Sequence, residues 1–428
     1  MIKRIFLFLF FPLAVWAQPK QAKYIVLITI DGLRPEFYLD SSWGMVNLRH
    51  LMTEGVAAKG VNPVFPSVTY PDHTSIITGV TPAKHGIYFN SYVYYDSIKT
   101  PTLFDAMRKA GRTTADIIWP VTVHAPIDWN IPDIAEPGSK DRRGITAANA
   151  NPKNLWQTLQ DSAVGQLDSA DWNMFDDELG MDENIGRMGA YLIKKHKPGL
   201  TAIHFAAADH YQHEYGRDAY PVHAAVAGID RGLKTILEAI RRAGIKDSTL
   251  LIVTGDHGFE NVYRTFQPNV LLKRAGLSTA QFYQQGGCTF LILKDPTDHQ
   301  TLVQVQSLLN NLPDSIKQYF KIIDKATLTN IGAFPGAALA LTGLNGTSFG
   351  SRQTGNLLDI LPTVKGNHGF YPDHAAIRTG FVAAGPGLKR GVLLPEMNIV
   401  DICPLIIQLT GLPFHAMDGK VYPEMLYH

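Results

Sequence analysis

Three stretches that read as buried strands run into an aspartate: Tyr24–Ile30 into Asp31, Leu200–Ala208 into Asp209, and Ser248–Thr254 into Asp256. His213 lies four residues after Asp209, His257 follows Asp256 directly, and His368 sits in a similar Asn-His-Gly turn. One aspartate before a glycine is an ordinary strand-ending turn residue. Three of them, two with histidines at short spacing, point to a site. Carboxylates mixed with imidazoles suit zinc or a similar borderline metal. Six such groups are too many for a single catalytic zinc with an open position and fit two ions sharing a site. Two ions roughly 4 Å apart clamp the attacking and leaving oxygens of phosphoryl transfer.

A nucleophile for that chemistry is offered by Phe65–Gly79, FPSVTYPDHTSIITG. A Pro/Ser/Thr-rich turn there leads into a helical run that ends at Gly79. Thr69 falls at the junction, with Pro71 just inside, where a missing backbone donor does no harm. A hydroxyl at that point faces unpaired N–H groups and the positive end of the helix dipole, a setting that suits a phosphate. The same position suits an ordinary N-capping threonine. No serine-protease-like base stands beside Thr69 in the sequence, so its alkoxide needs metal help. His73 lies one helical turn further from the site and is expected to be structural. His85, His124, His204, His210, His223 and His374 have no ligand-like spacing.

These residues need a scaffold. Helical spacing is read over Met45–Glu54, Leu103–Ala110, Asp182–His196, Ala219–Ala243 and Ile399–Thr410, and further strands over Thr114–Trp119 and Gly380–Ala384. Strands alternating with helices imply an α/β fold with a mostly parallel sheet covered on both faces. In such sheets ligands bind beyond the carboxyl ends of the strands, where the aspartates stand. The region from Pro120 to about Asp171 reads as long loops. Phe266–Thr363 reads as mixed short elements, an inserted subdomain with no chemistry of its own.

The 428 residues carry 45% hydrophobic and 18% charged side chains and a formal charge of +1, so no large basic nucleic-acid-binding face is implied. Lys3 and Arg4, the apolar run Ile5–Trp16 and an A-x-A pattern at Ala17 read as an export signal cleaved after Ala17. The mature chain, 18–428, is expected to be one catalytic domain in the periplasm or the medium, without a transmembrane segment. Its two cysteines, Cys288 and Cys403, either pair or stay as buried thiols.

The motifs Ile30-Asp31-Gly32-Leu33-Arg34-Pro35, Phe65 to His73, Thr78-Gly79 with His85-Gly86-Ile87, Asp209 to Gly216, Gly255-Asp256-His257-Gly258 and His368-Gly369 stand in one order. In that order the chain resembles the nucleotide pyrophosphatases/phosphodiesterases of the alkaline phosphatase superfamily, over about Lys23 to Arg390. The resemblance implies a three-layer αβα alkaline-phosphatase-like fold and two zinc ions. It makes Thr69 the nucleophile and gives one zinc to Asp209, His213 and His368. The other goes to Asp31, Asp256 and His257, with the Thr69 oxygen as its remaining ligand. It also implies that Asn90 hydrogen-bonds a non-bridging phosphate oxygen, helped by the Tyr70 N–H, and that the Tyr70 ring stacks on a nucleobase.

Val68, Asp72, Gly255 and Phe259 depart from the residues usual at their positions. None is a metal ligand or the nucleophile, so the departures bear on the substrate. The first-choice substrates are nucleotide diesters or pyrophosphates, with phospholipid head-group esters in the same family. Two rivals keep the scaffold. A threonine-dependent phosphomonoesterase would use Lys140, Arg142 and Arg143 as added cationic donors. A binding protein would keep the fold without turnover. The aromatic cluster Tyr88, Phe89, Tyr92, Tyr94 and Tyr95 around Asn90 reads either as a pocket wall or as an alternating strand.

Overall fold

A computed structural model of the chain describes residues 21–173 and 178–427; the leader-like stretch 1–17 lies outside them. Six strands in chain order build most of the central sheet: β1 (Tyr24–Ile30), β2 (Val56–Asn62), β3 (Thr114–Ile117), β4 (Trp129–Ile131), β5 (Leu200–Phe205) and β6 (Thr249–Thr254). Three later strands complete it, Thr379–Ala384, Val392–Leu394 and Met397–Asn398. The order is Val392–Leu394, β2, Thr379–Ala384, β6, β1, β5, β3, β4, with Met397–Asn398 also on β2. Thr379–Ala384 runs antiparallel to both β2 and β6, while the remaining pairings are parallel.

The apolar run YIVLITI makes β1 central. Its Val26, Ile28 and Ile30 enter one core, and Ile25 and Leu27 enter another on the opposite face. Helices Glu178–His196 and Tyr220–Arg242 pack together in the first core, and Ile402–Thr410 lies in the second. Three layers result, as the alternation of strands and helices requires.

Parallel register puts the chemistry side by side. Ile30 pairs with Phe205 and Thr29 with Thr254, so β1, β5 and β6 end at one level. Asp31 follows β1 directly, and Asp256 follows β6 after Gly255. Asp209 does not end a strand: β5 stops at Phe205, and Asp209 occupies the first turn of helix Ala207–Tyr215. The alanines 206–208 are buried in the helix start just as strand residues would be expected to be, so apolarity carries no boundary.

The segment 120–171 is more ordered than its composition suggests. It holds β4, helices Arg143–Asn149 and Leu155–Leu159, and the π-turn Gln160–Val164. Trp156, Leu155, Leu159 and Leu167 are buried in the first core. Such short pieces have too few turns to leave a periodicity.

Between the central strands lie two smaller sheets. One is four-stranded and antiparallel, ordered Phe320–Ile323, Leu339–Gly343, Cys288–Leu293, Ala280–Gln285, with its own core around Phe282, Leu291 and Leu341. The other joins Thr347–Phe349, Glu260–Phe266 and Leu358–Asn367. Cys288 and Cys403 are buried and free. Among the described residues, no helix is long and apolar enough to cross a membrane.

Candidate active site

Thr69 opens helix Thr69–Thr78, whose ten residues are all buried although most are polar. Val68, in extended conformation, holds the cap position, and its side chain makes no capping bond. The Thr69 hydroxyl therefore does not play the capping role that a threonine there suggests. Internal partners offset the burial of the helix's polar groups. Asp72 Oδ1 accepts from Val64 N–H at 2.8 Å, and Thr74 and Thr78 hydroxyls donate to Tyr70 and Thr74 carbonyls. His73 Nδ1 donates to the Thr69 carbonyl at 2.7 Å, while its Nε2 lies 2.9 Å from Thr29 Oγ1 and 3.1 Å from His204 Nδ1. Burial lowers His73 to about 3, so it stays neutral. These contacts fit the structural role expected for it.

Asn90 reaches this helix from the other side. Its Oδ1 accepts from Tyr70 N–H at 3.3 Å, and its Nδ2 lies 3.5 Å from Thr69 Oγ1. The Asn90 N–H is itself held by Gln285 Oε1 at 2.9 Å, so the smaller antiparallel sheet braces the loop.

The acidic and imidazole groups converge beside it. Ligand atoms of Asp31, Asp256 and His257 form one close group, and those of Asp209, His257 and His368 form another, each within 4.8 Å. His257 thus stands between the two. His257 Nε2 is 3.4 Å from Asp31 Oδ1 and 3.3 Å from Asp256 Oδ2. Asp209 Oδ1 is 3.4 Å from His213 Nε2 and 3.6 Å from His368 Nε2. His213 therefore borders the second group through Asp209.

Orientation comes from the backbone. His213 Nδ1 donates to the Gly366 carbonyl at 3.0 Å, and His368 Nδ1 to the Ser67 carbonyl at 3.1 Å. Each bond leaves Nε2 as a lone-pair donor, the usual outer-shell arrangement of a metal-binding histidine. Asp256 Oδ1 accepts from Gly32 and His257 N–H at 3.0 and 2.9 Å, which turns Oδ2 inward. Gly32 is required at its place: φ is +67°, and a Cβ would lie 2.7 Å from both Gln212 Nε2 and the Phe259 ring. Phe259 is buried against His213, His257 and His368, a dry wall behind the imidazoles.

Four atoms here, Asp31 Oδ1, Asp209 Oδ1, Asp256 Oδ2 and His257 Nε2, are buried without a hydrogen-bond partner. Burial, then Asp209 and Asp256, raise Asp31 well above the usual carboxylate range. Burial raises Asp209 to about 6, against the pull of His213. Burial also lowers His257 and His368 well below the usual histidine value. Clustered carboxylates facing neutral imidazoles, with unsatisfied oxygens, form a cluster short of positive charge. That donor set fits divalent cations bound by nitrogen and oxygen.

A family model for type I phosphodiesterase / nucleotide pyrophosphatase matches residues 25–330. The chain belongs to that family. Among curated relatives, ectonucleotide pyrophosphatase/phosphodiesterase family member 7 of Mus musculus is 22% identical over 425 residues, 96% of this chain and 88% of its own. Bis(5'-adenosyl)-triphosphatase enpp4 of Mus musculus is 22% identical over 417 residues, covering 94% and 80%. Human ectonucleotide pyrophosphatase/phosphodiesterase 5 superposes with a TM-score of 0.67 at 17% identity, covering 93% of this chain and 97% of that one. An inactive threonine-to-alanine variant of the murine protein 5, in complex with AMP, gives 0.65 at 16% identity, with 94% and 98% covered. As a family member the chain is a phosphodiesterase/pyrophosphatase-type hydrolase of α/β architecture, and the family is metal-dependent.

Other residues reached the site unannounced. His204, given no role by spacing, pairs with Thr29 in the sheet register and sets its Nε2 3.4 Å from Asp31 Oδ2. Its signal was one polar residue inside an apolar strand. The basic trio is not left as free cationic donors: buried Arg142 is ion-paired with Asp133, Arg143 binds Asp141 at 2.7 Å, and Lys140 is exposed. At Gly255 a Cβ would meet Thr379 Oγ1 at 2.1 Å, so the threonine hydroxyl fills the space a larger residue would need.

Proposed function

We propose that this chain is a two-zinc phosphodiesterase that hydrolyses nucleotide diesters or pyrophosphates through a phospho-threonine intermediate. The observation that carries the reading is the uncapped hydroxyl of Thr69, held by Asn90 at a buried helix start, beside a cluster of unsatisfied carboxylate and imidazole atoms. Asp209, His213 and His368 would hold one ion, and Asp31, Asp256 and His257 the other, with His257 near both. Zinc, when bound there, supplies the charge stabilisation that a threonine alkoxide and a developing oxyanion require.

The chain's own residues do the rest. Thr69 Oγ1 gives up its proton to solvent and attacks phosphorus, the P–O bond to the leaving alcohol or phosphate breaks, the leaving oxygen takes up a proton, and the phosphate stays on Thr69 with its remaining ester group. Water then attacks the phospho-threonine, breaking its P–O bond and restoring the hydroxyl. Asn90 Nδ2 would bind a non-bridging oxygen as its charge grows, with Asn90 held by its bond from the Tyr70 N–H. Helix Thr69–Thr78 adds its positive dipole end. The His73 bond to the Thr69 carbonyl and the His368 bond to Ser67 fix the backbone on either side of the nucleophile.

The phosphomonoesterase reading loses support because Arg142 and Arg143 are already paired with Asp133 and Asp141. The relatives' names, a triphosphatase of bis-adenosyl substrates among them, favour nucleotides. The apolar N-terminal run with its A-x-A end supports export. The test is kcat/KM of zinc-loaded protein on the nitrophenyl ester of thymidine 5′-monophosphate beside nitrophenyl phosphate. A large preference for the diester is expected; preference for the monoester would overturn the reading.

A further inference from the structure

The aromatic residues crowded near Asn90 do not share one role. Among the described residues, 88–94 form bends and loop, with no strand. Tyr88 and Phe89 turn to Phe334 at 4.7 and 5.0 Å, into the packing of the smaller sheet. Tyr94 stacks on His124 at 5.0 Å, and the Tyr95 hydroxyl is 2.9 Å from Asp105 Oδ2. Tyr92 is left. Its ring stands edge-on to Tyr70, 5.8 Å between centroids at 90°, two residues from Asn90 and one residue contact from the nucleophile's neighbour.

Tyr70 itself is closed in. It is 6% exposed, while Tyr92 is 48% exposed. The Tyr70 hydroxyl donates to Asp133 Oδ2 at 2.6 Å, and Ile87 and Val121 cover the ring. Val121 does so from φ +63°, a left-handed conformation that a β-branched residue rarely adopts. A buried ring bound at its hydroxyl has little surface for a substrate.

We propose that Tyr92, rather than Tyr70, is the aromatic wall that receives the planar base of a nucleoside phosphodiester, and that the buried Asp133–Arg142 pair positions it. The proposal rests on the phosphodiesterase reading above. Arg142 lies over the Tyr92 ring, 5.7 Å from its centroid, and donates to its hydroxyl at 3.4 Å. Asp133 binds both Arg142 and the Tyr70 hydroxyl. Tyr70, Tyr92, Arg142 and Asp133 thus close one ring of contacts, and Asn90 ties Tyr70 to Thr69, so the wall is linked to the nucleophile through Tyr70. Tyr92 determines specificity; Asp133 and Arg142 act through it.

Two esters with one leaving group separate the roles: the nitrophenyl ester of thymidine 5′-monophosphate and methyl nitrophenyl phosphate. Removing one aromatic stacking partner costs about ten-fold or more in binding its base. Tyr92→Ala is therefore expected to lower the kcat/KM ratio, thymidine over methyl ester, about ten-fold or more, mainly through KM, and Tyr92→Phe to keep most of it. Arg142→Gln should lower the ratio in the same direction. An equal fall on both esters, or a ratio within two-fold of wild type for Tyr92→Ala, would overturn the proposal. Calorimetric dissociation constants of thymidine 5′-monophosphate and methyl phosphate on the zinc-loaded proteins read the same ratio without turnover. If wild type hydrolyses neither ester, the phosphodiesterase reading fails, and the binding ratio still decides the role of Tyr92.

Discussion

The side chain of Asn90 spans one peptide unit of the nucleophile helix: Nδ2 lies 3.5 Å from Thr69 Oγ1, and Oδ1 accepts from the N–H of the next residue, Tyr70, at 3.3 Å. An amide so placed can follow a phosphate oxygen as charge builds on it. Loss of one such donor costs about 10²–10³-fold in kcat. Asn90→Ala is expected to show that loss with little change in KM, in steady-state assays on a nitrophenyl diester. A fall confined to KM would make Asn90 a ground-state binding residue only.

Thr69→Ala removes the attacking oxygen and leaves the helix start unchanged, since the hydroxyl caps nothing. Turnover of the zinc-loaded variant is expected to drop at least about 10³-fold, as when a nucleophile is deleted from a site acting as a unit. Thermal stability should stay close to wild type. Thr69→Ser keeps the oxygen and should retain measurable activity. Mass spectrometry of wild type acid-quenched during turnover of the nitrophenyl ester of thymidine 5′-monophosphate should find one added thymidylyl group, on Thr69. Near-normal turnover by Thr69→Ala would end the covalent mechanism.

Asp182 acts on the site from a distance. Its carboxylate accepts from the N–H groups of Ala206 and Ala207 at 2.9 and 3.0 Å, at the start of the helix that carries Asp209 and His213. Asp182→Ala leaves both donors buried and unpaired, a loss of roughly 1–2 kcal/mol for a helix cap. Supports of this kind typically tune metal affinity by about 10–100-fold. Zinc competition with a chromophoric chelator should show weaker binding in the variant. Unchanged zinc affinity would confine Asp182 to stability.

Gly255 and Thr379 exclude each other's growth. With the Cβ of a residue at 255 only 2.1 Å from Thr379 Oγ1 and 2.7 Å from Leu33 Cβ, Gly255→Ser is overpacked. Such insertions cost about 1–3 kcal/mol. In urea unfolding the added change Thr379→Ala should recover part of that loss, a non-additivity expected of residues in contact. Strict additivity would show that the two do not compete for the space.

The order of the catalytic segments was legible because each follows an apolar run that has to be a central strand. Burial on both faces leaves β1, β5 and β6 no other place, and parallel register then aligns Asp31 with Asp256. Asp209 was found as a residue but misplaced by an element, because Ala206–Ala208 are small and buried whether strand or helix. His204 gave only the signal of a polar residue in an apolar strand and Asp133 none, since their roles depend on the partners the fold brings to them, Asp31 and Arg142. Arg142, in a loop-like and basic context, read as an added cationic donor for a monoester; its carboxylate partner and the Tyr92 ring give it another place.

His85 gives a pH dependence that can be separated from the metal site. It is fully buried, its Nδ1 accepts from Ile87 N–H at 3.1 Å, and its Nε2 lies 3.1 Å from Ser75 Oγ. Burial lowers it to about 3 from an ordinary value of 6.5. The folded value lies below the unfolded one, so its full contribution is present above pH 6.5. Below that, the unfolded chain takes up a proton that the folded chain refuses, and stability falls until about pH 3. One such histidine changes stability by at most about 1.4 kcal/mol per pH unit. His85→Gln removes the titration while keeping a hydrogen-bonding side chain, and is expected to be less stable at pH 7.5 through lost packing. Between pH 7.5 and 5.5 wild type should lose about 1 kcal/mol more than the variant, read from urea midpoints in the same zinc-containing buffers. His73 and His204 remain in both proteins, so the difference isolates His85. Parallel pH profiles would mean that His85 is protonated in the folded chain or reached by water.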